Sequence, residues 1–174
     1  EIRNGTLVLD KTLRTSVPAI WAAGDITRHY PFTHVASTEA LRAVRNAFSE
    51  DPEVADYTAT PWVTYSDPAL AHVGATSQAL EEEGRASKTL DLEFENVPRN
   101  IVTSKLAGRV RMLVEPDSGE ILGGHILGAS AGELLAPIVV AMRNNLPIQA
   151  LADTILPYPT SVEAIQKKKK KYFK

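Results

Sequence analysis

The spacing of apolar positions changes near residue 60. Leu41, Val44 and Phe48 fall at i, i+3 and i+7, with Ala40 and Ala47 beside them. This predicts a helix over roughly 34–49 with one apolar face. Asp51-Pro52 ends it, because a proline disfavours helical geometry in the residue before it. Ahead of the helix, residues 6–9 and 19–23 are predicted strands, and residues 50–60 read as a linker.

Beyond the linker, period two takes over. Residues 62–65 form a predicted strand stopped by Ser66-Asp67-Pro68. Thr76 is a predicted N-cap for a short helix through Glu83, which Gly84 terminates. Leu90, Leu92 and Phe94 alternate with Asp91, Glu93 and Glu95, the signature of a strand with one buried face. Residues 109–114 and 120–127 flank a turn-rich loop at 115–119, which predicts a hairpin. Ser130 is the predicted cap of a helix over about 131–144, with Leu134, Leu135, Ile138, Val139 and Met142 apolar. Asn144-Asn145 and Pro147 end it. Antiparallel strands with helices set apart from them predict an α+β layer domain for the second part.

Composition narrows the class. The chain has 174 residues, 44% hydrophobic and 23% charged, which suits a globular protein with a core of its own. No apolar run approaches the ~18 residues of a membrane span, and no signal peptide is visible. There is no cysteine, so neither a redox dithiol nor a Cys-ligated zinc is present. His29, His34, His72 and His125 show no metal-ligand spacing, and no metal is expected. Net charge is −2, yet six lysines stand in the last eight residues, and without them residues 1–166 carry −8. The basic character is therefore a tail, residues 167–174, and not a face. Such a run reads as a solvated terminus, with contact to nucleic acid or acidic lipid as the rival reading. No nucleic-acid or membrane partner is expected of the rest.

Candidate chemistry sits at two places. Ile20-Trp21-Ala22-Ala23 runs into Gly24-Asp25, where Gly24 lets a ligand approach the backbone and Asp25 offers an acceptor to a ribose or ribityl hydroxyl. An ordinary turn with Asp as a capping group explains the same residues. Thr33, His34 and Val35 open the first helix. Their N–H groups offer a partial positive charge, or Thr33 serves simply as a cap. The second place is Tyr158-Pro159-Thr160-Ser161-Val162-Glu163. Thr160 and Glu163 have the spacing of a capping box, which by itself accounts for the Glu. Pro157, Tyr158 and Pro159 make a stiff arm. His72 and His125 read as structural histidines.

The residues from Arg14 to Asp25 resemble the second FAD-binding motif of the pyridine nucleotide-disulfide oxidoreductases, a group that includes dihydrolipoyl dehydrogenases, glutathione reductases and mercuric reductases. The resemblance continues in order through Pro61-Trp62-Val63-Thr64-Tyr65-Ser66-Asp67-Pro68, Ala71-His72-Val73-Gly74, Ile121-Leu122-Gly123-Gly124-His125 and the Tyr158 motif. It implies that residues 1–50 close an FAD/NAD-binding α/β domain and that residues 60–166 form an interface domain that makes a homodimer. The N-terminal FAD/NAD(P)-binding domains, with their Gly-rich fingerprint and cysteine pair, are missing. A start at Glu1 fits a fragment or a processed chain.

The resemblance also implies FAD and NAD(P)H as cofactors of the whole protein, and the cytoplasm as its location. Gly24 and Asp25 would contact the flavin's ribityl chain, and the backbone of Thr33, His34 and Val35 its isoalloxazine ring. Relatives that reduce disulfides carry a His where this chain has Tyr158. There the Glu matching Glu163 orients that His, which acts across the dimer on the partner's cysteines. Mercuric reductases place a Tyr at this point, though their C-terminal cysteine pair is missing here. A different class of reading is a non-catalytic dimerisation module that binds no flavin and buries the 131–144 helix face against its twin.

Overall fold

The computed structural model describes residues 1–166, and the lysine tail lies outside them. The chain divides into two compact units, Glu1–Tyr57 and a larger one that begins at Thr58.

The first unit has little regular structure. Strands β1 (Ile2–Arg3) and β2 (Thr6–Leu7) pair antiparallel around Asn4-Gly5. Both turn residues have positive φ (51° and 72°), as a tight hairpin turn requires. Residues 19–23, predicted as a strand, do not form one. Only Trp21 makes a bridge, to Arg14. With no strand alongside, their backbone groups pair locally. Thr15 N–H donates to Ile20 O (2.9 Å), Ile20 N–H to Val17 O (2.9 Å) and Ala22 N–H to Leu13 O (3.0 Å). A 3₁₀ turn at Asp25–Thr27 then leads to helix α1 (Thr33–Ala47).

Helix α1 forms where predicted but buries a different face. Leu41, Val44 and Phe48 are 63%, 61% and 89% exposed, and the buried residues are Val35, Glu39, Ala43 and Asn46. These also share one stripe, at i, i+4, i+8 and i+11. Two of the four are polar because the unit meets them with hydrogen-bond partners. Asn46 Nδ2 donates to Thr12 O and Glu53 O, both at 2.9 Å, and its Oδ1 accepts from Glu53 N–H at 3.0 Å.

The second unit is the α+β layer structure. Its strands are β3 (Pro61–Thr64), β4 (Ala69–Gly74), β5 (Lys88–Glu93), β6 (Gly108–Val114) and β7 (Ile121–Gly128). They form one antiparallel sheet in the order β3-β4-β7-β6-β5. Helix α2 (Ser77–Glu82) follows β4, and Thr76 Oγ1 accepts from Ala79 N–H (3.1 Å) as its N-cap. Phe94, predicted in the β5 alternation, sits in a 3₁₀ turn just past it, yet its ring is buried. Helices α3 (Pro98–Val102), α4 (Ala131–Arg143), α5 (Ile148–Asp153) and α6 (Glu163–Gln166) complete the unit. Alternation and periodicity did not announce α3 or α5, each under two turns long.

Helix α4 lies against one sheet face. Leu134, Leu135, Ile138 and Ala141 join Ala71, Val73, Val110, Met112 and Ile126 in the core. The apolar face of α4 is therefore spent within its own unit. The reading that buried it against a second copy is corrected accordingly. Ser130 stands at the N-cap position with φ 58° and makes no side-chain capping bond. Gly124 lets the helix approach, since a Cβ there would come 2.9 Å from Ile138 Cγ2. Ile138→Ala is expected to lower unfolding free energy by about 2–5 kcal/mol, and Val140→Ala on the solvent side to stay within about 0.5 kcal/mol, both read by chemical denaturation. Equal losses would contradict the packing described.

Candidate functional site

Gly24 and Asp25 sit on a loop held from beneath. Gly24 has φ 80°, a left-handed conformation that a side chain would strain. Its N–H donates to Glu39 Oε2 at 2.7 Å. The Glu39 carboxylate is 2% exposed. It also accepts from Thr27 Oγ1 (3.1 Å) and from Tyr57 Oη (2.6 Å), and His29 Nδ1 stands 3.4 Å away. Burial and this carboxylate together push the Tyr57 phenol well above its ordinary pKa, so it donates a proton and does not lose one. Sequence reasoning missed Glu39. Its signal was the spacing of Val35, Glu39 and Ala43, one helical turn apart.

Asp25 itself is exposed, and among the described residues no donor reaches its carboxylate. Nor does a side chain cap α1. Phe32, not Thr33, is the N-cap residue, and the first intrahelical bond runs from Ala36 N–H to Phe32 O. Thr33 and His34 are exposed while Val35 is buried, and the His34 ring stacks on Phe32 with centroids 5.5 Å apart. Loop and helix start thus belong to one unit, joined by Glu39.

The second predicted site lies in the other unit. Tyr158 is 74% exposed and precedes Pro159 through a cis peptide bond. Glu163 is 8% exposed, and its Oε1 accepts from Thr160 N–H at 3.1 Å. This is half of a capping box. Thr160 Oγ1 completes no box and donates instead to Pro157 O (2.6 Å). Ser161 Oγ donates to Oδ1 of buried Asn100 (2.5 Å), fastening the base of the arm. Tyr158 therefore stands on a braced loop with its phenol turned to solvent.

Comparison with known proteins places the chain. A family model described as "Pyridine nucleotide-disulphide oxidoreductase, dimerisation domain" matches residues 60–169, and a second, "Pyridine nucleotide-disulphide oxidoreductase", matches residues 1–40. The chain belongs to the pyridine nucleotide-disulphide oxidoreductases. It is 40% identical over 162 residues to a mercuric reductase of Streptomyces lividans, a match spanning 93% of this chain and 34% of that protein. It is 32% identical over 159 residues to a dihydrolipoyl dehydrogenase of Chlamydia muridarum, spanning 91% and 34%. Among solved structures it resembles LpdA from Mycobacterium tuberculosis, with TM-score 0.88 and 27% identity over 94% of this chain and 36% of that one. The HOCl-induced flavoprotein disulfide reductase RclA from Escherichia coli gives TM-score 0.85 and 25% identity, over 94% and 38%. The chain thus spans about a third of the length of these relatives. Two features of the first unit are compatible with the flavin that this family implies. Asp25 is an exposed acceptor with no donor among the described residues, and the start of α1 carries no side-chain cap.

The sheet face opposite α4 carries a cross-strand row: Trp62, His72, His125, Arg111 and Asp91 are register partners across all five strands. His125 Nε2 lies 3.1 Å from Ala75 O and therefore carries a proton, leaving Nδ1 to accept. His72 Nδ1 is 2.9 Å from it and donates. Arg111 forks onto Asp91 with two bonds of 2.8 Å. Burial, then the neighbouring His125, lowers the His72 pKa to about 4. Burial, with some help from Arg111, lowers that of His125 as well. Among the described residues no group of three or more His, Cys, Asp or Glu is placed to hold a metal ion, and no helix is long and apolar enough to cross a membrane.

A histidine whose folded pKa is depressed binds its proton more readily unfolded. Stability is then complete above the ordinary value of 6.5 and declines as pH falls from there towards about 4. Thermal midpoints measured across that window are expected to fall steeply, and less steeply in His72→Gln. A variant with the same slope would show that the pair does not titrate as described.

Proposed function

We propose that this chain is the C-terminal part of an FAD-dependent, NAD(P)H-using oxidoreductase of the disulfide or mercuric-ion class that works as a homodimer in the cytoplasm. Residues 1–50 complete its FAD-binding domain, and residues 60–166 form the dimerisation domain. A flavin held by Asp25 and the start of α1 would supply the redox chemistry that links the nicotinamide to the acceptor. The observation that carries the reading is the Asp25 carboxylate, exposed beside a positive-φ glycine and without a donor among the described residues. It would accept from a ribityl hydroxyl, while buried Gly24 turns the chain beneath it. The first-turn amides of Thr33, His34 and Val35 would face the ring, where a fixed dipole stabilises negative charge.

Tyr158 and Glu163 would complete the partner subunit's site. A phenol offers a hydroxyl that donates or accepts a hydrogen bond, not the imidazole that manages protons in the disulfide-reducing relatives. Tyr158 therefore serves as a hydrogen-bond donor at the acceptor and does not replace their histidine. Glu163 braces the loop through Thr160 N–H. The exposed apolar stripe of Leu41, Val44 and Phe48 suits cover by the further domains of the complete protein proposed here.

In the complete flavoprotein, Asp25→Ala is expected to weaken FAD binding roughly ten- to a hundredfold, the worth of a hydrogen bond to a charged group, as read by flavin fluorescence. Unchanged affinity would remove Asp25 from the site. Tyr158→Phe should keep flavin and a dimeric mass in sedimentation but lower kcat with Hg(II) or a disulfide by about tenfold, the worth of one hydrogen bond. A dimer that takes up no FAD would favour the non-catalytic module instead.

A further inference from the structure

Buried Glu39 is not accounted for by any motif of the sequence, yet it touches both parts of the flavin reading. It belongs to α1, six residues past the helix start, and its carboxylate reaches across to the amide of Gly24. Only donors meet it: Gly24 N–H on Oε2, Thr27 O–H on both oxygens, Tyr57 O–H on Oε1. His29 Nδ1, 3.0 Å from the Tyr57 oxygen and 3.4 Å from Glu39 Oε1, supplies the remaining polar contact. No Lys or Arg is paired with it among the described residues, so its charge is met chiefly by fixed dipoles. A buried carboxylate is costly unless its lone pairs are filled, and here each oxygen has at least two donors within reach. The reach is fixed as well. Thr27, two residues past Asp25, is 5% exposed, so the turn carrying Asp25 is gripped on both sides by one side chain.

We propose that Glu39 is the positioning residue of the flavin-facing loop: by binding the Gly24 amide and Thr27 hydroxyl from α1, it fixes the Asp25 carboxylate relative to the first turn of that helix. This rests on the reading of Asp25 and the α1 start as flavin contacts. Position matters more than charge here. A glutamine at 39 keeps its oxygen on Gly24 N–H and turns its amide towards Tyr57 and His29, whose hydroxyl and ring nitrogen can reverse roles. An aspartate keeps the charge but is one methylene too short to reach Gly24.

The test measures FAD dissociation constants of the complete flavoprotein and of its Glu39→Gln and Glu39→Asp variants, with amide hydrogen exchange at residues 24–27 in the flavin-free proteins. Glu39→Gln is expected to stay within about threefold of the parent, and Glu39→Asp to bind FAD about tenfold more weakly, with faster exchange at Gly24. Equal affinities, or tighter binding by the Asp variant, would overturn the proposal. A merely structural glutamate would make affinity follow the melting temperature of each variant in place of this order. If the parent protein itself takes up no FAD, the flavin reading fails, while the exchange rates still decide whether Glu39 holds the loop.

Discussion

The central strand β7 sets the frame of the larger unit. It is bonded along both edges, to β4 and to β6, so its backbone groups are satisfied and both its faces are available for side chains. On one face Gly124 and Ile126 receive α4. On the other His125 meets His72 and stands in register with Arg111. Without a small residue at 124, Ile138 could not settle on the sheet, and the apolar stripe of α4 would be left in water. The same registry lines polar groups up across the sheet, where His72 bonds His125 and Arg111 bonds Asp91.

The smaller unit is built on the opposite principle. It has almost no sheet, and its irregular backbone is held by side chains that reach over long sequence distances. Asn46 ties residue 12 to residue 53, and Glu39 ties residue 24 to residue 57. Each spends a buried polar group, which is costly unless every partner is present. The return is a loop of fixed shape that leaves the Asp25 carboxylate outward and unused. That combination, a rigid support beneath an unsatisfied acceptor, suits a binding site better than an ordinary turn.

Much of the larger unit was legible because its elements are amphipathic in the plain sense. The alternation in β5 and the apolar positions of α4 named the surfaces that the core uses, and Thr76 capped α2 as its hydroxyl suggested. The first unit misled the same reasoning. Period 3.6 located α1, but the stripe at Leu41, Val44 and Phe48 faces solvent, while Glu39 and Asn46 face inward. Hydrophobic spacing records what a helix can bury, and it does not record which partner is there to bury it. Residues 19–23 have the composition of a strand but no neighbouring strand in this unit. Ser130 has the right hydroxyl, but its left-handed backbone makes no capping bond. The His72–His125 bond spans 53 residues, and only the sheet register brings it about. The Gly24-Asp25 and Tyr158 motifs were visible as motifs, whereas the support beneath them was not.

The central claim is that this chain serves a flavin that exchanges electrons with a pyridine nucleotide. An anaerobic titration of the complete protein with NADPH or NADH, followed by visible absorption, tests it most directly. The account predicts a yellow protein that bleaches, or that develops a long-wavelength thiolate–flavin band. A colourless protein indifferent to both nucleotides would contradict it.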